Sequence, residues 1–284
     1  MLASWPVAVG VLGPLEAGTL LWTHRGALNV TVVLRTAYAL FAGPSSPLPA
    51  DAVDPEDRHY RDDPSATVRT AADVAPRVPR AEVVHAGAVF APAGVTLVRL
   101  ALSRQGRMIF DKRALASAKN DSPGLGPLGR RSAERLAVLR GAPEPLADAN
   151  GVLALPDDHD FGFHQCAPTD QRLDSLVGGD EILLGNLHPE IAELVISLPT
   201  TAPAARAILG GEEAPLLLEC KRVLLDTDRR RFTLTWYAEL ELPGLDVVPH
   251  LRIEARAPEA PAPPAFDPRN MLRKIAATPP PKGR

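Results

Sequence analysis

The chain has 284 residues, 45% of them hydrophobic and 23% charged, which is enough apolar material for a packed core and excludes intrinsic disorder. Its 31 basic and 34 acidic residues leave a net charge of -3, so no global field draws in nucleic acid or an anionic membrane, and neither is expected as a partner. The 30 prolines, about 11% of the chain against a usual ~5%, exclude a helix-dominated fold, because an interior proline removes a helical donor and clashes with the preceding turn.

Two cysteines, Cys166 and Cys220, are too few for a disulfide framework and lack zinc-site spacing; they read as buried thiols in a reducing compartment. In chain order, Trp5 to Trp22 is apolar but broken by Pro6, Pro14 and Glu16, with no basic lead. It reads as neither a membrane span nor an export signal.

The clearest period-two pattern runs from Leu28 to Leu40, with Leu28, Val30, Val32, Leu34 and Leu40 on one side and Asn29, Thr31 and Arg35 on the other. The stretch 41–66, rich in Pro, Asp and Ser, is a long loop, which in a compact domain either covers something or binds something. A second strand is predicted from Ala81 to Phe90, and a hairpin from 96–103 and 107–111 around Arg104-Gln105-Gly106.

Residues 112–160 read as irregular, with a short helix over 132–139. Further strands are predicted at 181–184 and 192–198, at 216–225 and 231–242 around Asp226-Thr227-Asp228-Arg229, and at 250–256. Phe232, Leu234 and Trp236 should share one face, and Thr233, Thr235 and Tyr237 the other. The fold expected is mainly β: an antiparallel two-sheet sandwich-like body with long Pro-rich loops and a short C-terminal helix.

Residues 1–256 form one β-rich domain in this reading. A Pro/Ala-rich linker and a short basic amphipathic helix occupy 257–284. Asp267 and Pro268 fit an N-cap and first helical position, and Met271, Leu272 and Ile275 make an apolar stripe beside Arg269, Arg273 and Lys274. So short a helix needs a surface to fold on. Phe266, Met271, Leu272 and Ile275 are the residues expected to contact a partner.

Four patterns invite a chemical reading. Gly124, Gly126 and Gly129 have the spacing of a dinucleotide fingerprint, but Pro123 and Pro127 deny the strand and helix it requires, so a loop is expected. Gly178-Gly179-Asp180-Glu181 resembles a cyclase signature; without further acidic ligands it reads as a turn. Asp157, Asp158, His159, Asp160 and His164 offer metal-ligand chemistry without the spacing of an EF-hand or HExxH site. His164 and Cys166 could share a strand face, but nothing nearby would make the thiolate, and no GxSxG elbow exists. No enzymatic activity, metal or cofactor is expected.

Several segments together resemble one bacterial family, domain of unknown function 2169. They are VVLRTAY at 32–38, the DPSATVR run, Asp73 to Arg77, AEVVHAGAVFAPAG at 81–94, FGFHQCAPTDQRLDSLVGGDEILLGNLHP at 161–189 and LLDTDRRRFTLTW at 224–236. The resemblance implies a cytoplasmic adaptor or chaperone that binds a protein effector and helps load it onto a type VI secretion spike. The chain departs from the family in a shortened section between Arg113 and the glycine-rich run. A fixed structural component of a secretion particle and a metal-assisted hydrolase using the cluster near His159 are the alternatives.

Overall fold

A computed structural model describes residues 6–258 apart from 44, 64–65, 67, 88, 90–94 and 118–123. The C-terminal segment expected to be helical, with Phe266, Met271, Leu272 and Ile275, lies outside the described residues.

The two longest strands are buried over most of their length. Ala27–Ala39 and Arg231–Leu242 pair antiparallel along their lengths, from Leu28 opposite Leu242 to Ala39 opposite Arg231. They form the middle of an eight-stranded sheet. Outward on one side lie Leu15–His24 and Val152–Ala154; on the other lie Glu219–Asp226, Ala81–Ala86 and Arg172–Leu173, with Pro47–Leu48 beside Ala27–Ala39.

Leu28, Val30, Val32, Leu34, Phe232, Leu234 and Trp236 face one shared core, as the alternation predicts. Over that face lie two further four-stranded sheets. One contains Ala8–Leu12, Arg252–Arg256, Ala204–Leu209 and Glu212–Leu216; the other contains Glu193–Ser197, Glu181–Gly185, Val95–Arg104 and Arg107–Ser117. Ala205, Ala207 and Ile253 of the first and Leu100, Leu102, Ile182 and Leu184 of the second join the same core. The body is mainly β and sandwich-like in layering, with its second layer divided between two sheets.

Among the described strands, pairing is antiparallel except between Ala8–Leu12 and Arg252–Arg256, Val152–Ala154 and Leu15–His24, and Glu219–Asp226 and Ala81–Ala86. The hairpin at Gln105-Gly106 turns with both residues at positive φ, 51° and 77°, the geometry whose twist matches that of its strands.

Three expectations are corrected. Two strands, Ala8–Leu12 and Leu15–His24, occupy the apolar N-terminal stretch. In the longer one Leu21 and Trp22 are both buried, on opposite faces, which erases the period-two signal. The strand predicted over 81–90 ends at Ala86, where the Gly87 N–H is taken by the Tyr60 hydroxyl at 2.8 Å; 88 and 90 lie outside the described residues. The single strand predicted over 216–225 is two: Glu212–Leu216 pairs with Ala204–Leu209, and Glu219–Asp226 joins the central sheet. The chain crosses between sheets at Leu217, which is 83% exposed although it lies inside the apolar triplet Leu216-Leu217-Leu218.

Candidate functional site

The outer face of the central sheet carries charges that the core face lacks. Because successive side chains alternate and the strands are in register, Arg35 stands opposite Thr235, Thr235 opposite Arg222, and Arg222 opposite Glu82. This makes one polar row across four strands, and all four side chains are buried.

Most of the row's polar groups find partners in the segments that lie over it. Arg222 donates through Nε to Glu82 Oε1 at 2.7 Å and through Nη1 to the Ala72 carbonyl at 3.0 Å. Glu82 Oε2 also accepts the backbone N–H groups of Cys166 and Ala167, each at 2.9 Å. Arg35 Nη1 reaches Asp73 Oδ2 at 2.9 Å and Asp54 Oδ2 at 3.0 Å. The Tyr237 hydroxyl donates to the Asp73 carbonyl at 2.6 Å, and Thr31 Oγ1 to that of Pro76 at 2.5 Å.

The loop following residue 41 is therefore a cover clamped to the sheet by buried ion pairs, and the segment 161–171 a cover held by hydrogen bonds to Glu82. Gln165 and Gln171 complete the clamp by donating to the carbonyls of Arg80 at 3.0 Å and Val83 at 2.7 Å. The stretches VVLRTAY, Asp73 to Arg77 and FGFHQCAPTDQ thus converge on one structural network.

Cys166 lies inside this network, with Sγ donating to Glu82 Oε1 at 3.2 Å. Burial pushes its thiol well up, and Glu82 acts in the same direction, which keeps sulfur protonated and inert. Cys220 is pushed up to about 12, again chiefly by burial. His164 is not turned toward Cys166; its Nε2 meets His159 Nε2 at 3.0 Å.

The cluster near residue 159 is brought together only in part. His159 and His164 are in contact, whereas Asp160 caps a short turn by accepting the Gly162 N–H at 2.8 Å. Asp157 presents its carbonyl, not its carboxylate, to His24 and Arg25. Among the described residues no three His, Cys, Asp or Glu side chains gather as a metal site.

Both glycine patterns fold as loops. Asp180 of the Gly-Gly-Asp-Glu turn is buried and accepts Arg104 Nε at 2.7 Å and Nη2 at 2.8 Å, and Glu181 begins a strand. In the glycine-rich run, the Leu125 carbonyl accepts the His85 N–H at 2.9 Å. The helix that follows, Ala133–Val138, starts at the Ser132 cap, beyond the third glycine.

The feature best shaped for an external contact is a groove that local sequence patterns did not mark. A cavity of about 630 Å³ lies where the three sheets meet, lined by Leu12, Thr36, Tyr38, Leu198, Arg256 and Pro258 among others. A second, of about 570 Å³, is lined by Gly10, Val11, Leu12, Ala204, Ala205 and Arg256 among others. The two share Leu12 and Arg256. Val11 and Leu12 are exposed, at 43% and 61%.

One border of the groove is the strand Ala8–Leu12, which ends its sheet: among the described residues it pairs only with Arg252–Arg256. The opposite border of that sheet, Glu212–Leu216, is blunted by Glu212, Glu213 and Pro215. Arg206 bridges Glu254 at 2.5 Å and Glu213 at 2.6 Å, and its hydrogen bond to Glu254 holds that carboxyl below its ordinary range. The groove therefore joins apolar surface, an open backbone edge and a charged rim.

Residues 107–237 match the family model described as "Uncharacterized protein conserved in bacteria (DUF2169)". The family resemblance read from the sequence stands over that span. The similar stretches at 32–38, 73–77 and 81–94 precede it, and the buried polar row physically joins them to it through Arg35, Asp73, Glu82 and Arg222. No curated protein and no solved structure matches the chain.

Proposed function

We propose that this protein is a non-enzymatic, cytoplasmic adaptor or chaperone that holds a protein effector and assists its loading onto a type VI secretion spike. The observation that carries the contact part of this reading is the groove beside Ala8–Leu12. An extended client segment can pair with the open edge of Ala8–Leu12, next to the exposed side chains of Val11 and Leu12 that border the groove. Backbone pairing supplies affinity that is tolerant of sequence, and a few apolar anchors supply selectivity. The secretion role and the identity of the client class rest on the family resemblance.

The buried ion pairs support the reading in a second way. They fix the covering loops to the outer face, so the open edge is presented by a rigid body and less ordering entropy is lost on binding.

The test is affinity capture from the native host with the wild type and with Leu12→Asp and Val11→Arg. A protein client should co-purify with the wild type and fall about tenfold with each folded variant. Retention of the client at full level by both variants would overturn the groove assignment. Permanent presence of the chain in the assembled secretion particle would identify it instead as a fixed component.

A further inference from the structure

A cavity of about 80 Å³ sits at one end of the polar row, on the opposite face of the sheet from the core. It is lined by five guanidinium groups, those of Arg35, Arg58, Arg69, Arg229 and Arg231, against three carboxylates, those of Asp51, Asp54 and Asp226. These residues come from a long strand, the loop over it, the short strand Val68–Thr70 and the turn before Arg231–Leu242. Segments far apart in sequence thus bring like charges into one partly enclosed space.

The carboxylates are already engaged. Asp51 accepts Arg229 Nη1 at 2.6 Å, Arg229 Nη2 at 3.0 Å and Arg231 Nη1 at 3.3 Å. Asp54 is paired with Arg35 at 3.0 Å and with Arg58. Asp226 takes Arg69 Nη2 at 3.2 Å and the Arg229 backbone N–H at 3.0 Å.

Donors remain beyond these pairs. Arg35 is 2% exposed, and its Nε has no hydrogen-bond partner; the Nε of Arg231 is likewise buried and unpartnered. A buried guanidinium N–H without an acceptor is costly, and an anion supplies acceptors and charge at once.

We propose that this cavity is a binding site for one small oxyanion of the phosphate or sulfate class, held by the guanidinium groups of Arg35, Arg58, Arg69, Arg229 and Arg231. Planar guanidinium forks suit tetrahedral oxyanions, and the volume holds a single ion, not a peptide side chain with its backbone. Bound there, the ion joins the loop carrying Asp51 and Asp54 to the turn carrying Arg229, and so stabilises the cover on the sheet. The inference is independent of the client groove.

The experiment is isothermal titration of the full chain with inorganic phosphate and, separately, sulfate, at constant ionic strength set with chloride. Thermal unfolding in the same buffers gives a second readout. One ion per chain and a raised unfolding temperature relative to chloride are expected. Arg58→Gln and Arg69→Gln, whose side chains are 60% and 34% exposed, should each weaken binding about tenfold in protein whose circular dichroism matches the wild type. Absence of saturable binding at millimolar phosphate and sulfate, or binding unchanged in both folded variants, would overturn the site.

Discussion

Arg222 and Glu82 stand side by side on adjacent parallel strands, buried on the face of the central sheet away from the core, with Nε and Oε1 2.7 Å apart. Both side chains are inaccessible, at 3% and 0% exposure, so each charge depends on the other and on the backbone amides of Cys166 and Ala167.

Removing one member of this pair leaves the other charge buried without compensation. Arg222→Met should destabilise the fold by about 3–5 kcal/mol, read from urea unfolding followed by the fluorescence of Trp22 and Trp236. Adding Glu82→Gln in the Met background should recover part of the loss. A single variant as stable as the wild type would contradict the clamp.

Acid should weaken the fold through His85. An ordinary imidazole titrates near 6.5, whereas burial holds His85 down to about 4. The unfolded chain thus takes up a proton that the folded chain refuses. Stability is complete above about pH 6.5 and is lost as pH falls toward about 4, by roughly 3 kcal/mol for this group. His164, His159 and His188, lowered first of all by burial, act in the same direction. Urea midpoints from about pH 7 to about pH 4.5 should fall in the wild type and less steeply in His85→Gln; parallel slopes would count against His85.

Gly87 has φ of 117°, and a Cβ there would lie 2.4 Å from Thr227 Oγ1 and 2.9 Å from the Asp228 nitrogen. Neither the backbone conformation nor the space admits a side chain. Gly87→Ala should cost about 2–4 kcal/mol, measured as a lowered midpoint in denaturant. A change within experimental error would show that the turn after Ala86 can shift.

Cys166 should react with a disulfide reagent only as fast as the protein opens. Its thiol is buried and kept protonated beside Glu82, and reaction requires an accessible thiolate. Modification should therefore accelerate in step with unfolding as urea is raised. Rapid stoichiometric labelling of Cys166 in native buffer would disprove the burial.

Local sequence was sufficient wherever one face of an element sees a single environment. The alternation from Leu28 to Leu40 and from Phe232 to Tyr237, the turn at Gln105-Gly106, the short helix within 132–139 and the reading of the Gly-Gly-Asp-Glu stretch as a turn all depend on neighbours in the chain, and all match the structure. Elsewhere the determining contact is remote. Leu15–His24 was hidden because Trp22 packs outward beside inward Leu21, and the division of 212–226 between two sheets has no residue to announce it. Arg35 was read as a polar-face residue, yet its partners Asp54 and Asp73 arrive from a covering loop that only folding places there. The groove is decided entirely by tertiary structure, since Leu12, Tyr38, Leu198 and Arg256 meet only where three sheets converge. Strand character follows from residues two apart, whereas a surface joining distant strands follows from how completed sheets pack.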